Sequence, residues 1–425
     1  MTLHIDCSYT RQQRGNIGIT RVVRGLARGL AAGELRLAAV HSSGFRSAAS
    51  AEEPAAAVAA TPDGLWRGLY RLSGSNSVRQ LIKALVPVAI QVRAWRFFSG
   101  MAFDRFAATL PPAEIHAGDI VIVGDASWTY DIWPCAGKAA MSGARIATIV
   151  YDLIPISAPQ FCAPALRRLF EDWLKNALRQ SDAILCISEA TRTELQQYCR
   201  ARGLRCPPSA VFRLGSELPP AANEPAPREL IRELSRRSNY FLTVGSIEPR
   251  KNHAFMLDVF DGCWQRGIEA TLVIVGRPSD GTQETVARIQ AHPRLGRHLF
   301  LVSDANDAEL DLLYRGSRAV ILATLAEGFG LPLVEARQRG CEVFASRLPA
   351  FEELADDGVR LFAPGDAPAL AGFVEAAIAT PRPMQPSCMA EFTWRESAQQ
   401  FTSALERLLA APAASSPSIS PPGTP

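Results

Sequence analysis

No apolar run in this 425-residue chain reaches the roughly 18–20 residues that a helix needs to cross a bilayer. A membrane-spanning helix is therefore not expected. No C-x-x-C pair occurs among the nine cysteines, Cys7, Cys135, Cys162, Cys186, Cys199, Cys206, Cys263, Cys341 and Cys388. Several stand in apolar runs such as Ala183-Ile184-Leu185-Cys186-Ile187, which reads as reduced, mostly buried thiols of a cytosolic protein and argues against a zinc site. The net charge is only +3, too little to make nucleic acid the main partner. No internal repeat is present. The opening Met1–Asp6 reads as a strand and not as a secretory leader. The amino-terminal glycines, Gly15 and Gly18, lack the Gly-x-Gly-x-x-Gly spacing of a dinucleotide fingerprint. No D-x-D stands at a strand end, so a divalent metal is not demanded.

What is present is an alternation of short apolar strands with helical patterns in both halves of the chain. Ile120–Gly124, Ile146–Val150 and Ile184–Ile187 read as strands in the first half. Phe241–Gly245, Thr271–Gly276, Leu299–Val302 and Ala319–Leu322 do so in the second. Continuous β-branched runs mean strands buried on both faces, hence parallel sheets covered by helices. The stretch Leu218–Pro227 is rich in proline and alanine and reads as an interdomain linker. The expected organisation is a first α/β domain over 1–217, a linker over 218–238, a second α/β domain over 239–385, a terminal helix over 386–410 and a disordered tail over 411–425. Ser47–Ala60, of low complexity, reads as a surface loop.

The most informative run is Glu327-Gly328-Phe329-Gly330-Leu331-Pro332-Leu333-Val334-Glu335. Before it, Leu322–Ala326 reads as the end of a buried strand; after Pro332 a short helix runs to Arg339 and stops at Gly340. Glycines admit a ligand to the backbone, and the helix's first turn offers unpaired N–H groups to an anion. A carboxylate on either side can accept hydrogen bonds from sugar hydroxyls. Together these outline a nucleotide-sugar site. Arg250 and Lys251 follow another strand that ends in a glycine, Gly245. Two cations there would stabilise negative charge growing on a departing phosphate, the arginine with two parallel bonds and the lysine as a point charge.

These segments resemble the retaining glycosyltransferases of family 4. Val244–Asn252 is similar to that family's "vGt-x-x-p-R/K-K-N" segment, and Glu327 to Glu335 to its E-x7-E motif. Val275-Gly276 resembles its "v-v-G". Ala345-Ser346, Glu353 and Phe362–Asp366 resemble "aS…pE…f-x-P-x-D". In the first half, Gly15–Arg21 is similar to the amino-terminal glycine-rich loop, Tyr151–Pro155 to "H-D-l-x-P", and Ile187–Thr191 to "v-S-e-x-t". Two positions depart: Tyr151 stands where the family has histidine, and Glu342 where it has proline.

The resemblance implies the GT-B fold, two Rossmann-like doubly wound α/β domains facing a cleft, with a carboxy-terminal crossing helix. It implies that Arg250 and Lys251 meet the leaving diphosphate. Glu327 would bind donor-sugar hydroxyls, and Glu335 the ribose. Gly245, Gly328, Phe329, Gly330 and Leu331 would line the donor, and Val302 and Ser303 would hold the base. Gly18 would let its loop close over the diphosphate, or serve as a plain turn glycine. Asp152 would orient or polarise the acceptor, or merely cap the loop before Pro155. No metal or other cofactor is implied.

The expected activity is cytoplasmic transfer of a hexose, with GDP-mannose as first donor, onto a growing glycan, with a lipid-linked surface polysaccharide as the expected acceptor. Residues 65–98 carry Trp66, Arg67, Arg93, Trp95 and Arg96 and no acid. They suit peripheral contact with an anionic membrane face, or form a helix with a solvated basic side. The alternatives are a UDP-sugar transferase with a small soluble acceptor, or a scaffold that binds sugar nucleotides without turnover.

Overall fold

The computed structural model describes residues 2–13, 18–30, 35–51, 86–217, 225–279, 281–380 and 392–410. Among the described residues thirteen strands lie in two sheets. The first half supplies β1 (Leu3–Asp6), β2 (Leu35–His41), β3 (Gly44–Ala48), β4 (Ile120–Val123), β5 (Arg145–Val150), β6 (Ala183–Cys186) and β7 (Ser209–Val211). Their order is β3-β2-β1-β4-β5-β6-β7, and only the β2–β3 pair is antiparallel. The second half supplies β8 (Tyr240–Val244), β9 (Thr271–Val275), β10 (Leu299–Val302), β11 (Ala319–Leu322), β12 (Glu342–Ser346) and β13 (Val359–Phe362). These six are all parallel, in the order β10-β9-β8-β11-β12-β13.

Each sheet is doubly wound. Strand order reverses between β1 and β4 in one and between β8 and β11 in the other. The crevice outside the carboxyl ends of such a pair is where open α/β sheets take their ligands. The apolar runs end up as expected: every residue of β4, β6, β9 and β11 is buried. Helices cover both faces.

Helices needed below are α1 (Ile19–Gly29), α2 (Val88–Ala107), α3 (Glu189–Ala201), α4 (Glu229–Ser235), α5 (His253–Gln265), α6 (Asp307–Gly316), α7 (Leu331–Gln338) and α8 (Trp394–Ala410). Two segments differ from the sequence reading. The span read as linker, 218–238, carries α4 in its described part. Ile231 and Leu234, three apart on one helical face, are buried in the second domain's core with Leu313 and Tyr314. Composition hid this pair behind the preceding prolines. The buried strand read to run to Ala326 stops at Leu322. Beyond it, Leu325 N–H donates to Arg250 O at 2.7 Å and Thr324 Oγ1 to the same oxygen at 3.0 Å, so the backbone has left the ladder to brace the arginine loop. The tail 411–425 and residues 65–85 lie outside the described residues.

The terminal helix α8 crosses back onto the first domain. Thr393 and Glu396 form a reciprocal cap at its start: Glu396 N–H donates to Thr393 Oγ1 at 3.1 Å, and Thr393 N–H to Glu396 Oε2 at 2.7 Å. Trp394 is 2% exposed. A Cβ placed on Gly25 or Gly215 would lie 2.1 Å and 2.7 Å from its ring, so both glycines are there to let the indole in. Further along, Phe401 meets Phe212 edge to face at 5.1 Å. The core of the first domain is thus completed by the last helix of the described chain.

Trp394→Ala should cost about 3–5 kcal/mol of unfolding free energy in a denaturant titration, because it empties a site bounded by backbone that cannot collapse into it. A loss below about 1 kcal/mol would show that α8 is not anchored there.

Candidate functional site

Arg250 and Lys251 sit on a 3₁₀ turn, Pro249–Lys251, that leaves β8. The turn ends at Asn252, whose φ of 58° is the left-handed value that asparagine tolerates. Two strand-end glycines make the approach possible. A Cβ on Gly276 would fall 1.9 Å from the carbonyl oxygen of Gly245, so the β8 and β9 loops press backbone against backbone.

Across the reversal point, the loop after β11 delivers Glu327. Its Oε2 lies 2.5 Å from Lys251 Nζ and 3.4 Å from Arg250 Nη1. Arg250 is held from three sides: Nε donates to Glu248 at 2.8 Å, and Nη1 to Ala326 O at 2.9 Å besides Glu327. Burial alone would push the Glu327 carboxyl up, but Lys251 and Arg250 outweigh it and hold it below the usual glutamate range. Burial would lower Arg250, yet Glu327, Glu248 and Asp152 keep it firmly charged. His253, at the start of α5, lines the same small pocket as Lys251, Thr243, Thr324 and Glu327. Burial, then Lys251, brings its pKa down to about 4, so the ring is neutral.

The donor-side glycines have distinct tasks. Gly330 has φ 107° and caps α7; a Cβ there would strike the Phe351 ring at 2.6 Å. A Cβ on Gly328 would lie 2.2 Å from Tyr151 O and 3.0 Å from Asp152 Cβ. This loop of the second domain therefore rests directly on the first. Ser188 Oγ donates to Gly328 O at 2.6 Å and Thr191 Oγ1 at 3.2 Å. Glu353 caps α3 from the other domain, its two oxygens accepting from Glu189 N–H at 3.0 Å and Ala190 N–H at 3.1 Å. Phe329 is buried in the same cluster as Trp394; Leu331 opens α7.

Asp152 faces this loop from the first domain and caps Ile154 N–H at 3.0 Å. Burial raises its pKa to about 6, with Arg250 pulling the other way. Tyr151, the residue in the histidine position, turns inward: its hydroxyl donates to Gly124 O. Its ring is core, so its side chain offers no polar group to the cleft.

Glu335, expected to meet ribose, is 2% exposed and already has two internal partners. Arg21 Nη1, on α1 of the first domain, donates to Oε1, and Tyr314 OH donates to Oε2 at 2.8 Å. Val302 ends β10 and accepts from Gly276 N–H at 2.9 Å, while Ser303 O accepts from Arg277 Nε at 3.3 Å. Both lie on the edge formed by the carboxyl ends of β9 and β10. Gly18, at φ 54°, is the N-cap of α1, and a Cβ there would stand in open space; Gly15–Ile17 lie outside the described residues. The sequence reading gave no role to Arg21, Tyr314, Ser188, Thr191 or Glu353. Four of them, Arg21, Ser188, Thr191 and Glu353, stand in or beside quoted motif segments, but their partners named above, in the opposite domain, lie more than a hundred positions away; Tyr314 stands outside those segments.

Among the described residues no helix is long and apolar enough to cross a membrane, and no three His, Cys, Asp or Glu side chains converge as a metal-binding group.

Residues 229–389 match the family model described as Glycosyl transferases group 1. The serotype-specific mannosyltransferase WbdA of Escherichia coli is 30% identical over 235 residues, 53% of this chain and 29% of that protein. The chain thus spans less than a third of that relative's length. Sucrose-phosphate synthase from Thermosynechococcus elongatus superposes over 97% of this chain and 100% of its own, with TM-score 0.63 and 16% identity. Anabaena HepE, solved in complex with UDP and glucose, covers 96% of this chain and 100% of its own, with TM-score 0.59 and 16% identity. The chain therefore has the two-domain GT-B architecture, and its second half carries a group 1 glycosyltransferase domain.

Proposed function

We propose that the protein is a retaining glycosyltransferase that moves a mannosyl residue from GDP-mannose to a growing, lipid-linked surface glycan. The observation that carries the reading is the convergence of Arg250, Lys251 and Glu327 at the strand reversal of the second sheet, with Asp152 opposite them. Similarity to a mannosyltransferase supports the choice of sugar.

In this reading the diphosphate lies against Arg250, Lys251 and the first turn of α7, whose amides and dipole favour an anion. Cleavage of the sugar–phosphate bond leaves charge on the departing oxygen, and the two cations stabilise it. Glu327 accepts hydrogen bonds from sugar hydroxyls. Lys251 and Arg250 keep it ionised, so it accepts and does not donate. Glu335, buried with one oxygen already accepting from Arg21 and the other from Tyr314, accepts from the ribose on its remaining lone pairs once the cleft opens. The acceptor hydroxyl attacks the face the phosphate leaves, and a phosphate oxygen takes its proton. Asp152 holds the acceptor hydroxyl on that same face, beside the departing phosphate oxygen. The cations already present take the charge, so the proposed step uses no divalent metal.

The lipid-linked acceptor draws support from α2. Ile90, Phe97 and Met101, at 54%, 63% and 52% exposure, fall on one face of that helix, with Arg93 and Arg105 also exposed. An apolar stripe flanked by arginine suits the surface of an anionic bilayer.

Lys251→Ala should lower kcat by about 100-fold or more while leaving the thermal midpoint within a few degrees. Unchanged turnover of GDP-mannose, or of the UDP-sugar if that is the better donor, would contradict the role. Asp152 is ionised above about pH 6, so kcat/KM should fall as pH drops through that value. In Asp152→Asn that acid limb should vanish along with most of the activity; an identical pH profile in the variant would remove Asp152 from the mechanism. Phe97→Glu should abolish flotation with anionic vesicles and leave turnover of a short soluble acceptor intact. Undiminished flotation would exclude α2 as the membrane contact.

A further inference from the structure

Arg21 stands where two domains meet, and its guanidinium is only partly used. It is 6% exposed. Nη1 donates to Glu335 Oε1, while Nε and Nη2 are both buried and have no hydrogen-bond partner. Nε and Nη2 form one edge of the planar fork, the edge that binds two oxygens of a single carboxylate or phosphate in parallel. Asp307 feels the guanidinium's charge but accepts no hydrogen bond from Nε or Nη2; buried cationic N–H groups are costly to leave unpaired, and such an orphaned edge calls for an anionic acceptor.

The surroundings narrow the choice. Glu335, the partner of Nη1, lies about one helical turn beyond the amides that begin α7. Under the proposed function it meets the ribose, and the phosphates lie toward that helix start. An arginine fixed to the ribose-binding carboxylate is therefore one group away from the diphosphate. The other cations are already engaged: Lys251 pairs with Glu327, and Arg250 with Glu248 and Glu327. A diphosphate entering there meets carboxylates as well as cations, so an additional donor pair from the opposite domain has a clear electrostatic use.

We infer that Arg21 is a phosphate-binding residue contributed by the first domain, which holds Glu335 with one nitrogen and takes a phosphate of the donor nucleotide on its Nε–Nη2 edge. The inference rests on the proposed donor class. It makes the nucleotide a bridge between the domains: the same guanidinium contacts a carboxylate of the second domain and the ligand bound there. Because the edge is buried, the cleft must open to admit the ligand before the edge is filled.

The test compares nucleosides with nucleoside diphosphates by calorimetry on the full chain, using guanosine, GDP, uridine and UDP. The wild type should bind one diphosphate far more tightly than its nucleoside. Arg21→Ala, shown to be folded by circular dichroism, should lose roughly 10- to 100-fold in affinity for that diphosphate and little for the nucleoside. Arg21→Lys should recover only a small part, since a point charge lacks the fork; it also carries the comparison should the alanine variant not fold. Equal losses for nucleoside and diphosphate would overturn the inference, since Arg21 would then act only by holding Glu335. No loss for either would overturn it as well. A wild-type protein that binds neither diphosphate would instead bring down the proposed function, and this inference with it.

Discussion

A glutamate held between two cations is the interaction on which the rest of this structure turns. Glu327 comes from the loop after β11, and Arg250 and Lys251 from the loop after β8. The two strands are neighbours only because the sheet reverses its winding between them. The fold supplies the meeting point, and the charges fix the loops. Arg250 also holds Ala326 O, and its own carbonyl accepts from Leu325 and Thr324, so the loop that carries the carboxylate and the loop that carries the cations brace each other. Removing the carboxylate would leave the half-buried Lys251 without its partner, which is more costly than never having had the pair, whereas removing Lys251 leaves Glu327 paired with Arg250.

The second constraint is the closeness of the two domains. The glycine at 328 is required because the backbone of Tyr151 occupies the space a side chain would need. Ser188 and Thr191 grip the Gly328 carbonyl, and Glu353 caps α3. Arg21 reaches Glu335 by the same route. These polar contacts run beside apolar ones, since Phe329 and Val334 of the second domain are buried in the first domain's core cluster. Helix α8 works differently: it is anchored to the first domain by buried aromatic surface, with Trp394 set between glycines and Phe401 against Phe212.

Much of this was legible in the residues. Strands buried on both faces announce themselves as continuous apolar runs, and β4, β5, β6, β8, β9, β10 and β11 could be read from them; β2, β3, β7 and β13, only partly buried, could not, and β12 was not read either. The pairing of Gly-x-Gly with Pro332 marked the strand-to-helix loop, and the structure places Gly330 and α7 there. Charges near in sequence, Arg250 and Lys251, could be read as a unit. The fate of Glu335 could not, because its partner Arg21 lies 314 positions away and nothing local signals the pair. Tyr151 shows a related limit: the sequence gives the residue, but only the packing shows that its hydroxyl points inward to Gly124 O. The α4 helix was obscured by the prolines before it, although its Ile231–Leu234 spacing carried the signal.

The central claim is that the cleft between these domains cleaves a sugar–phosphate bond with retention of configuration. Proton NMR of the product formed from GDP-mannose, and in parallel from UDP-glucose, reads the new anomeric centre directly. The account predicts release of the nucleoside diphosphate in step with a product whose anomeric configuration equals that of the donor. An inverted product, or no release from any nucleotide-activated hexose in the presence of glycan acceptors, would contradict it.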